Sequence, residues 1–266
     1  MIGFFDSGIG GLTIIEKVHE LLPSYDTVYL GDTAHAPYGD KSHEELVAFT
    51  ISASTWLFEK GCDLIIVACN SASASALREV QRGWLKENHP DKKILGIIRP
   101  TAEYLAKGDF KNIAVLSTEA TKASAAYVSE FHKINPNLAI ISHACPNWAP
   151  MVEQGLATTE KMRSAVAKEI ASLEKENPDF DAILLACTHY PYVKDDVVAS
   201  LSTKVPVFNQ GEIVAESLKN YLARHAELEA KLGKNKMYEY FTTGDPIHSS
   251  EIASKKFGFA VQFKKI

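Results

Sequence analysis

The chain has 266 residues, of which 46% are hydrophobic and 23% charged, a composition typical of a globular protein. Its net charge is −5 and it has no block of lysine or arginine, so we expect neither nucleic acid nor a membrane as a partner. No segment approaches the apolar length of a membrane span, and the first residues lack the features of a signal peptide. We therefore expect a cytoplasmic protein whose four cysteines are free thiols.

Strand-like and helix-like segments alternate along the first part of the chain. The apolar run Ile2–Phe5 predicts a strand, and the turn Gly8-Ile-Gly-Gly11 leads into a helix that runs to about Leu22. Three further strands are predicted at Val28–Leu30, Leu64–Ala68 and Ile94–Ile98, the last of them stopped by Pro100. A helix is predicted to begin at the capping box Ser42-His-Glu-Glu45. This alternation is typical of a parallel α/β architecture.

The same order of segments then restarts. Strands are predicted at Ile113–Leu116, Leu138–Ile141, Ile183–Ala186 and Val205–Phe208. The loop Ala144–Pro150 takes the place that Asp32–Gly39 has in the first part, and Ser117-Thr118 takes that of Asp6-Ser7. A long helix from Gly211 to about Leu232 and a closing strand at Phe259–Phe263 are expected to return the chain to the first unit. We expect two similar α/β units with the ligand crevice between them.

The clearest repeat contains a cysteine. Asp63-Leu-Ile-Ile-Val-Ala-Cys69 reappears 118 residues later as Asp181-Ala-Ile-Leu-Leu-Ala-Cys187, and polar residues follow each cysteine. A short run that is apolar on both faces fits a central parallel strand, and ligands of open parallel sheets bind beyond the carboxyl ends of the strands. Two thiols at these ends are therefore candidates for one shared acid/base site.

A cysteine between a strand and a helix N-terminus is expected to have a pKa lowered from roughly 8.5 toward neutrality, as suits proton transfer. The alternative interpretation of a buried cysteine, a small apolar side chain, is kept for Cys62 and Cys145. Nucleophilic thiol chemistry would need only one cysteine and would leave its repeat unexplained. Cys69 and Cys187-Thr-His189 could be combined into a metal site, but no paired-ligand spacing supports this, so no metal is expected.

Polar motifs accompany the thiols. The turn after Asp6-Ser7 lacks the third glycine of a dinucleotide motif but could hold an anion with its backbone amides. Asp6 could hold a substrate ammonium group, orient Cys69 or cap a helix. His189 and Glu153 are candidate partners of the thiols, although Glu153 could equally lie on the surface. Donors for a substrate carboxylate are available from Pro37-Tyr38-Gly39, Asn70-Ser71 and Thr188-His189.

Five of these motifs, in the same order, resemble those of the glutamate racemases in the cofactor-independent aspartate/glutamate racemase family. They are Phe4–Gly11, Asp32–Gly39, Ala68–Ala74, Ala144–Pro150 and Cys187–Pro191. The resemblance covers nearly the whole chain. It implies two three-layer α/β/α units with mainly parallel sheets, related by a pseudo-twofold axis, with residues 1–97 and 210–266 in one domain and 98–209 in the other. It also implies interconversion of L- and D-glutamate for peptidoglycan synthesis without a cofactor, in a homodimer.

By position, the resemblance implies that Cys69 and Cys187 are the acid/base residues, assisted by Asp6, Glu153 and His189. The implied substrate contacts are Asp6, Ser7, Pro37, Tyr38, Gly39, Asn70, Ser71, Thr118, Thr188 and His189. The chain departs from the family pattern at Ser71, Ala186, Arg99 and Asn209-Gln210-Gly211. Two alternatives stay open: racemisation of aspartate or another acidic amino acid on the same fold, and binding of such an amino acid without turnover.

Overall fold

A computed structural model describes residues 1–257 and 260–266. Its strands are β1 Ile2–Asp6, β2 Thr27–Gly31, β3 Leu64–Val67, β4 Lys93–Gly96, β5 Asn112–Ser117, β6 Ala139–Ala144, β7 Ala182–Leu185, β8 Val207–Phe208, β9 Tyr238–Thr242 and β10 Phe263–Lys265. Its α-helices are α1 Leu12–Leu21, α2 His43–Glu59, α3 Asn70–Ser75, α4 Leu77–Arg82, α5 Trp84–Asn88, α6 Ile98–Leu105, α7 Glu119–Ala123, α8 Ala126–Ile134, α9 Trp148–Glu153, α10 Glu160–Glu176, α11 Lys194–Ser200, α12 Gly211–Arg224, α13 Ala226–Glu229 and α14 Pro246–Phe257. Short 3-10 helices lie at Tyr38–Asp40 and Tyr190–Val193.

The strands form two parallel sheets with the same internal order. The first sheet has the order β10-β9-β2-β1-β3-β4 and the second has the order β6-β5-β7-β8. The run β2-β1-β3-β4 therefore corresponds strand by strand to β6-β5-β7-β8, which confirms the prediction of two similar parallel α/β units. β9 and β10, which follow α12, add two strands to the β2 edge of the first sheet.

The central strands are buried because apolar side chains cover both faces of each sheet. β3 and β7 are buried at every position, as their uninterrupted apolar runs predict. Separate apolar clusters lie on the two faces of the first sheet, and another two lie on the faces of the second. Each unit thus has helices on both sides of a sheet, and the carboxyl ends of its strands are left to form a site.

Two prolines were wrongly interpreted from the sequence. Pro100 does not stop a strand: β4 already ends at Gly96, and Pro100 is the third residue of α6. Pro150, predicted to lie in a loop, is likewise the third residue of α9. The first turn of a helix makes no intrahelical bonds through its N–H groups, so a proline costs nothing there.

The other predicted segments are compared with the structure by where each helix or strand begins and ends. Ser42 Oγ accepts the N–H of Glu45 and the Glu45 carboxylate accepts that of Ser42, so the predicted capping box is confirmed. The long helix predicted from Gly211 is interrupted at His225. Phe259, the first residue of the predicted closing strand, lies outside the described residues. No helix in the described ranges has the length and hydropathy needed to cross a bilayer.

Candidate active site

The two repeated cysteines occupy equivalent positions at the carboxyl ends of equivalent strands. Cys69 lies two residues beyond β3 and Cys187 two residues beyond β7. Both side chains are buried, with 4% and 6% of their surface exposed. They are near enough for the charge of Cys187 to contribute to the pKa of Cys69. The structure thus brings the two thiols to one place between the two sheets.

Cys69 is held by the first half of the chain. Its Sγ donates to Ser7 Oγ over 3.7 Å, and the backbone N–H of Ala72, in the first turn of α3, points to the sulfur. Burial, followed by the charge of Asp6, raises the pKa of Cys69 to about 12. The expectation of a lowered pKa is therefore wrong for Cys69, because the loss of solvent outweighs the helix N-terminus.

Cys187 is held by a histidine and a carboxylate. His189 Nδ1 lies 3.6 Å from Cys187 Sγ, and His189 Nε2 bonds to Glu153 Oε1. Burial alone would lower the pKa of His189, but the charge of Glu153 and the hydrogen bond to Cys187 raise it to about 10. His189 is thus an imidazolium at neutral pH, and it can donate to Glu153 and to the sulfur of Cys187 at once.

Asp6 joins the two halves at the end of β1. Its Oδ1 accepts the N–H of Gly8 at 3.0 Å, and its Oδ2 accepts the hydroxyl of Thr188 at 3.1 Å. Burial raises the pKa of Asp6, and the positive charge of His189 opposes that shift. Asp6 therefore acts as a bridge between the motif that contains Ser7 and the motif that contains Cys187.

The glycine-rich turn after Asp6 contacts the second half of the chain. The N–H of Ile9 donates to Glu153 Oε1 at 2.9 Å, so an amide of this turn binds a carboxylate of the protein itself. A Cβ atom on Gly8 would lie 2.0 Å from Glu153 Oε1, and one on Gly10 would lie 2.7 Å from His189 Nδ1. Glycine is needed here because the His189–Glu153 pair packs directly against the backbone.

The other predicted substrate contacts have protein partners. Ser71 Oγ and Thr118 Oγ1 are 2.9 Å apart and join the two halves. Gly39 packs against Thr118, since a Cβ atom added to Gly39 would lie 3.0 Å from the Cβ of Thr118. Pro37 immediately precedes the 3-10 helix that contains Gly39. The hydroxyl of Tyr38 donates to Asp32 Oδ2 at 2.5 Å, so Tyr38 would meet a ligand through its backbone.

Asn70, another predicted contact, bonds to Gln210 at 2.7 Å and to Tyr127 at 2.6 Å. Sequence reasoning missed these two partners, and it also missed Asp32, which accepts from the Tyr38 hydroxyl. Asn70 and Gln210 are 140 positions apart, and no local pattern connects them. Gln210 was noticed only as a departure from the family pattern.

Two cavities of about 1260 Å³ and 260 Å³ lie near the junction of the units, and neither reaches the thiols. The larger is lined by residues of α3, α4, α6, α8 and α12, and the smaller by residues of α1 and α12 with Tyr192 and Asn209. Within residues 1–257 and 260–266, no cluster of three His, Cys, Asp or Glu side chains is placed to hold a metal ion.

Comparison with known proteins places the chain in a family. The family model for Asp/Glu/hydantoin racemases matches residues 10–218. The chain belongs to this racemase family. Among curated racemases, the glutamate racemase of Cereibacter sphaeroides is 36% identical over 266 aligned residues, which cover 96% of this chain and 95% of the relative.

Solved racemase structures share the whole fold. A glutamate racemase isoform of Bacillus anthracis superposes with a TM-score of 0.89 at 30% identity, over 100% of this chain and 97% of the other. The glutamate racemase of Francisella tularensis, solved in complex with D-glutamate, has a TM-score of 0.86 at 27% identity, over 100% and 96% of the two chains. The racemase fold is therefore present over its full length.

Proposed function

We propose that this protein is a glutamate racemase that interconverts L- and D-glutamate with Cys69 and Cys187 as its two bases. The observation that carries the proposal is the placement of two buried thiols at equivalent strand ends of two equivalent units. Relatives that are about 35% identical over nearly the whole chain bear the name glutamate racemase, which supports glutamate as the substrate.

The reaction is a transfer of one proton off the α-carbon and of another onto its opposite face. The thiolate of one cysteine takes the α-proton and becomes a thiol, which leaves an electron pair on the α-carbon. The thiol of the other cysteine then gives its proton to the α-carbon and becomes a thiolate. The two cysteines end with exchanged protonation states, and proton exchange with solvent restores the first state. This mechanism uses no metal and no cofactor.

The α-proton is a weak acid, so the site must stabilise the electron pair that forms. Backbone and side-chain donors fixed around the substrate carboxylate can do this in a closed site, and one such donor contributes about 3 kcal/mol. We assign this task to Ser7, Asn70, Ser71, Thr118 and Thr188, together with the backbone at Pro37, Tyr38 and Gly39. A bound α-ammonium group beside Asp6 would also favour the thiolate of Cys69, whose pKa burial raises.

The thiols have different assistants. In this proposal His189, held by Glu153, acts on Cys187, and Asp6 acts on Cys69 and on the substrate ammonium group. The proposal further includes delivery of D-glutamate to peptidoglycan synthesis in the cytoplasm by a homodimer. Its domain division assigns residues 1–97 and 210–266 to one domain and residues 98–209 to the other.

Circular dichroism of L-glutamate, and separately of D-glutamate, in heavy water tests the function directly. The wild type should abolish the optical signal of both enantiomers and introduce deuterium at the α-carbon. Cys69→Ser and Cys187→Ser should each lose racemisation almost completely. Cys62→Ala is the matched control, because Cys62 is a buried thiol outside the site.

Two other outcomes would change the proposal. Turnover of aspartate but not of glutamate would change the proposed substrate to aspartate and leave the two-thiol mechanism in place. Binding of glutamate with no deuterium uptake would contradict catalysis and indicate an amino-acid binding protein.

A further inference from the structure

A fully buried group of polar side chains adjoins Cys69, and the mechanism above uses only one of them, Asn70. Asn70, Tyr127 and Gln210 are each 2% exposed, and Thr101 is 0% exposed. Asn70 is the first residue of α3, Gln210 precedes α12, and Tyr127 and Thr101 lie in α8 and α6. Buried polar groups are costly unless they are paired, so four of them beside a thiol call for an explanation.

Three of these side chains form a closed ring of hydrogen bonds. Asn70 Nδ2 donates to Gln210 Oε1 at 2.7 Å, Gln210 Nε2 donates to the Tyr127 oxygen at 2.7 Å, and the Tyr127 hydroxyl donates to Asn70 Oδ1 at 2.6 Å. Gln210 Nε2 also donates to Thr101 Oγ1 at 3.1 Å, and the Thr101 hydroxyl donates to the Ile97 carbonyl at 2.6 Å. Each bond in the ring runs in the same direction, so the bonds strengthen one another.

Only an amide at position 210 satisfies the ring and Thr101 together. Its carbonyl accepts from Asn70 while its NH₂ group supplies both Tyr127 and Thr101. A carboxylate of the same shape has no hydrogen to donate, and it would turn the Tyr127 hydroxyl away from Asn70. A leucine side chain offers neither a donor nor an acceptor.

We propose that Gln210 is a positioning residue which, through its ring with Asn70 and Tyr127, holds Cys69 in place for proton transfer. Asn70 follows Cys69 directly in the chain, so a displaced Asn70 moves the thiol. Tyr127 lies in α8, which packs beside the second sheet, and the ring therefore also fixes Cys69 relative to the half that carries Cys187. The activity readout of this proposal rests on the proposed racemase function.

The test compares Gln210→Glu and Gln210→Leu with wild type, in both directions of the reaction, from about pH 6 to about pH 9. A buried glutamic acid has a raised pKa and is neutral at the lower end of this range. Its O–H can then donate to Tyr127 while its carbonyl accepts from Asn70, which restores the ring. Burial raises the pKa of the Tyr127 hydroxyl, and a charge on Cys187 would act in the same direction, so Tyr127 keeps its proton over this pH range.

At high pH we expect kcat of Gln210→Glu to be about tenfold or more below wild type, and the ratio to wild type to recover as the pH falls. Gln210→Leu should be reduced at every pH without recovery. Gln262→Glu, the same change on an exposed side chain, should follow wild type throughout. A Gln210→Glu profile parallel to wild type, or a Gln210→Leu enzyme within twofold of wild type, would overturn the proposal.

Tyr127→Phe opens the same ring from its other side. Because both changes break one ring, Gln210→Leu combined with Tyr127→Phe should be little worse than either alone. Fully additive losses would contradict the ring.

A second measurement does not depend on turnover. Alkylation of Cys69 by iodoacetamide, followed by mass spectrometry, should be faster in Gln210→Leu than in wild type, while the buried Cys62 reacts slowly in both. Unchanged Cys69 labelling would overturn the positioning role even if the wild type proves inactive on glutamate. An inactive wild type with faster Cys69 labelling in the variant would refute the racemase function and leave the ring in place.

Discussion

Replacing Glu153 by glutamine would remove a charge from the site while keeping the shape of the side chain. In the wild type, Glu153 Oε1 accepts from His189 Nε2 and from the N–H of Ile9. The amide oxygen of glutamine can still accept from both donors, but the neutral side chain cannot balance the charge of the imidazolium. Burial is then opposed by Cys187 without the help of the Glu153 charge, and the pKa of His189 should fall from its value of about 10.

The expected loss follows from the hydrogen bond that His189 makes to the sulfur of Cys187. A hydrogen bond to a charged group contributes about 1.5–3 kcal/mol. If the imidazolium stabilises the thiolate by that amount, its neutralisation should lower kcat/KM roughly 10- to 150-fold. L- and D-glutamate have equal free energies in water, so kcat/KM must fall by the same factor in both directions.

The assay is the initial rate of racemisation by circular dichroism, from each enantiomer, across the pH range between 6.5 and 10. Glu169→Gln is the matched control, since Glu169 forms a similar pair with His143 at 3.1 Å in the same half of the chain. Loss below threefold in Glu153→Gln at every pH, or an equal loss in Glu169→Gln, would refute the role of the His189–Glu153 pair.

Three further outcomes are expected. His189 has a pKa of about 10 in the folded state against an ordinary 6.5, so the folded state binds more protons than the unfolded state between these pH values. The stability that His189 contributes is therefore complete below pH 6.5 and is lost as the pH rises through 10. Urea unfolding at a series of pH values measures this loss. Gly10→Ala places a Cβ atom 2.7 Å from His189 Nδ1 and should lower kcat about tenfold or more with an unchanged far-ultraviolet spectrum. Asp32→Asn leaves one acceptor oxygen for the hydroxyls of Tyr38 and Thr243. The free energy of unfolding, measured by urea titration, should therefore fall by about 1–3 kcal/mol. An unchanged free energy of unfolding would contradict this prediction.

The sequence predicts the architecture well because its signals are local. The apolar runs before Cys69 and Cys187 are short, uninterrupted and followed by polar residues, and these features suffice to identify buried parallel strands. Their repetition predicts two equivalent units, and the matching strand orders confirm it. Pro100 and Pro150 were misread because a proline in the first helical turn and a proline beyond a strand look alike in sequence.

The interior of the site could not be predicted, because it depends on contacts between distant residues. Glu153 was left between a surface role and a functional one, and its bonds to His189 and to Ile9, 144 positions away, show that it belongs to the site. The pKa of Cys69 also escaped prediction. A helix N-terminus is visible in sequence, whereas the extent of burial that raises this pKa to about 12 is not. The division into domains stays a prediction.

The two thiols occupy equivalent positions but have different surroundings, and this difference is measurable. Burial and the charge of Asp6 raise the pKa of Cys69, whereas the sulfur of Cys187 lies 3.6 Å from Nδ1 of His189, which can donate to it. Their exposures, 4% and 6%, are nearly equal, so access alone predicts similar reactivity.

We expect iodoacetamide to label Cys187 faster than Cys69 near neutral pH, because the thiolate is the nucleophile and the raised pKa of Cys69 leaves little of its thiolate. His189→Asn should reduce this preference by removing the positive charge while keeping a polar side chain. Equal rates in the wild type, or an unchanged preference in His189→Asn, would contradict the asymmetry. A confirmed preference would mean that the free enzyme rests with the proton on Cys69 and its base at Cys187. The enantiomer that presents its α-proton to Cys187 would then react from the resting state, and the other only after a proton moves.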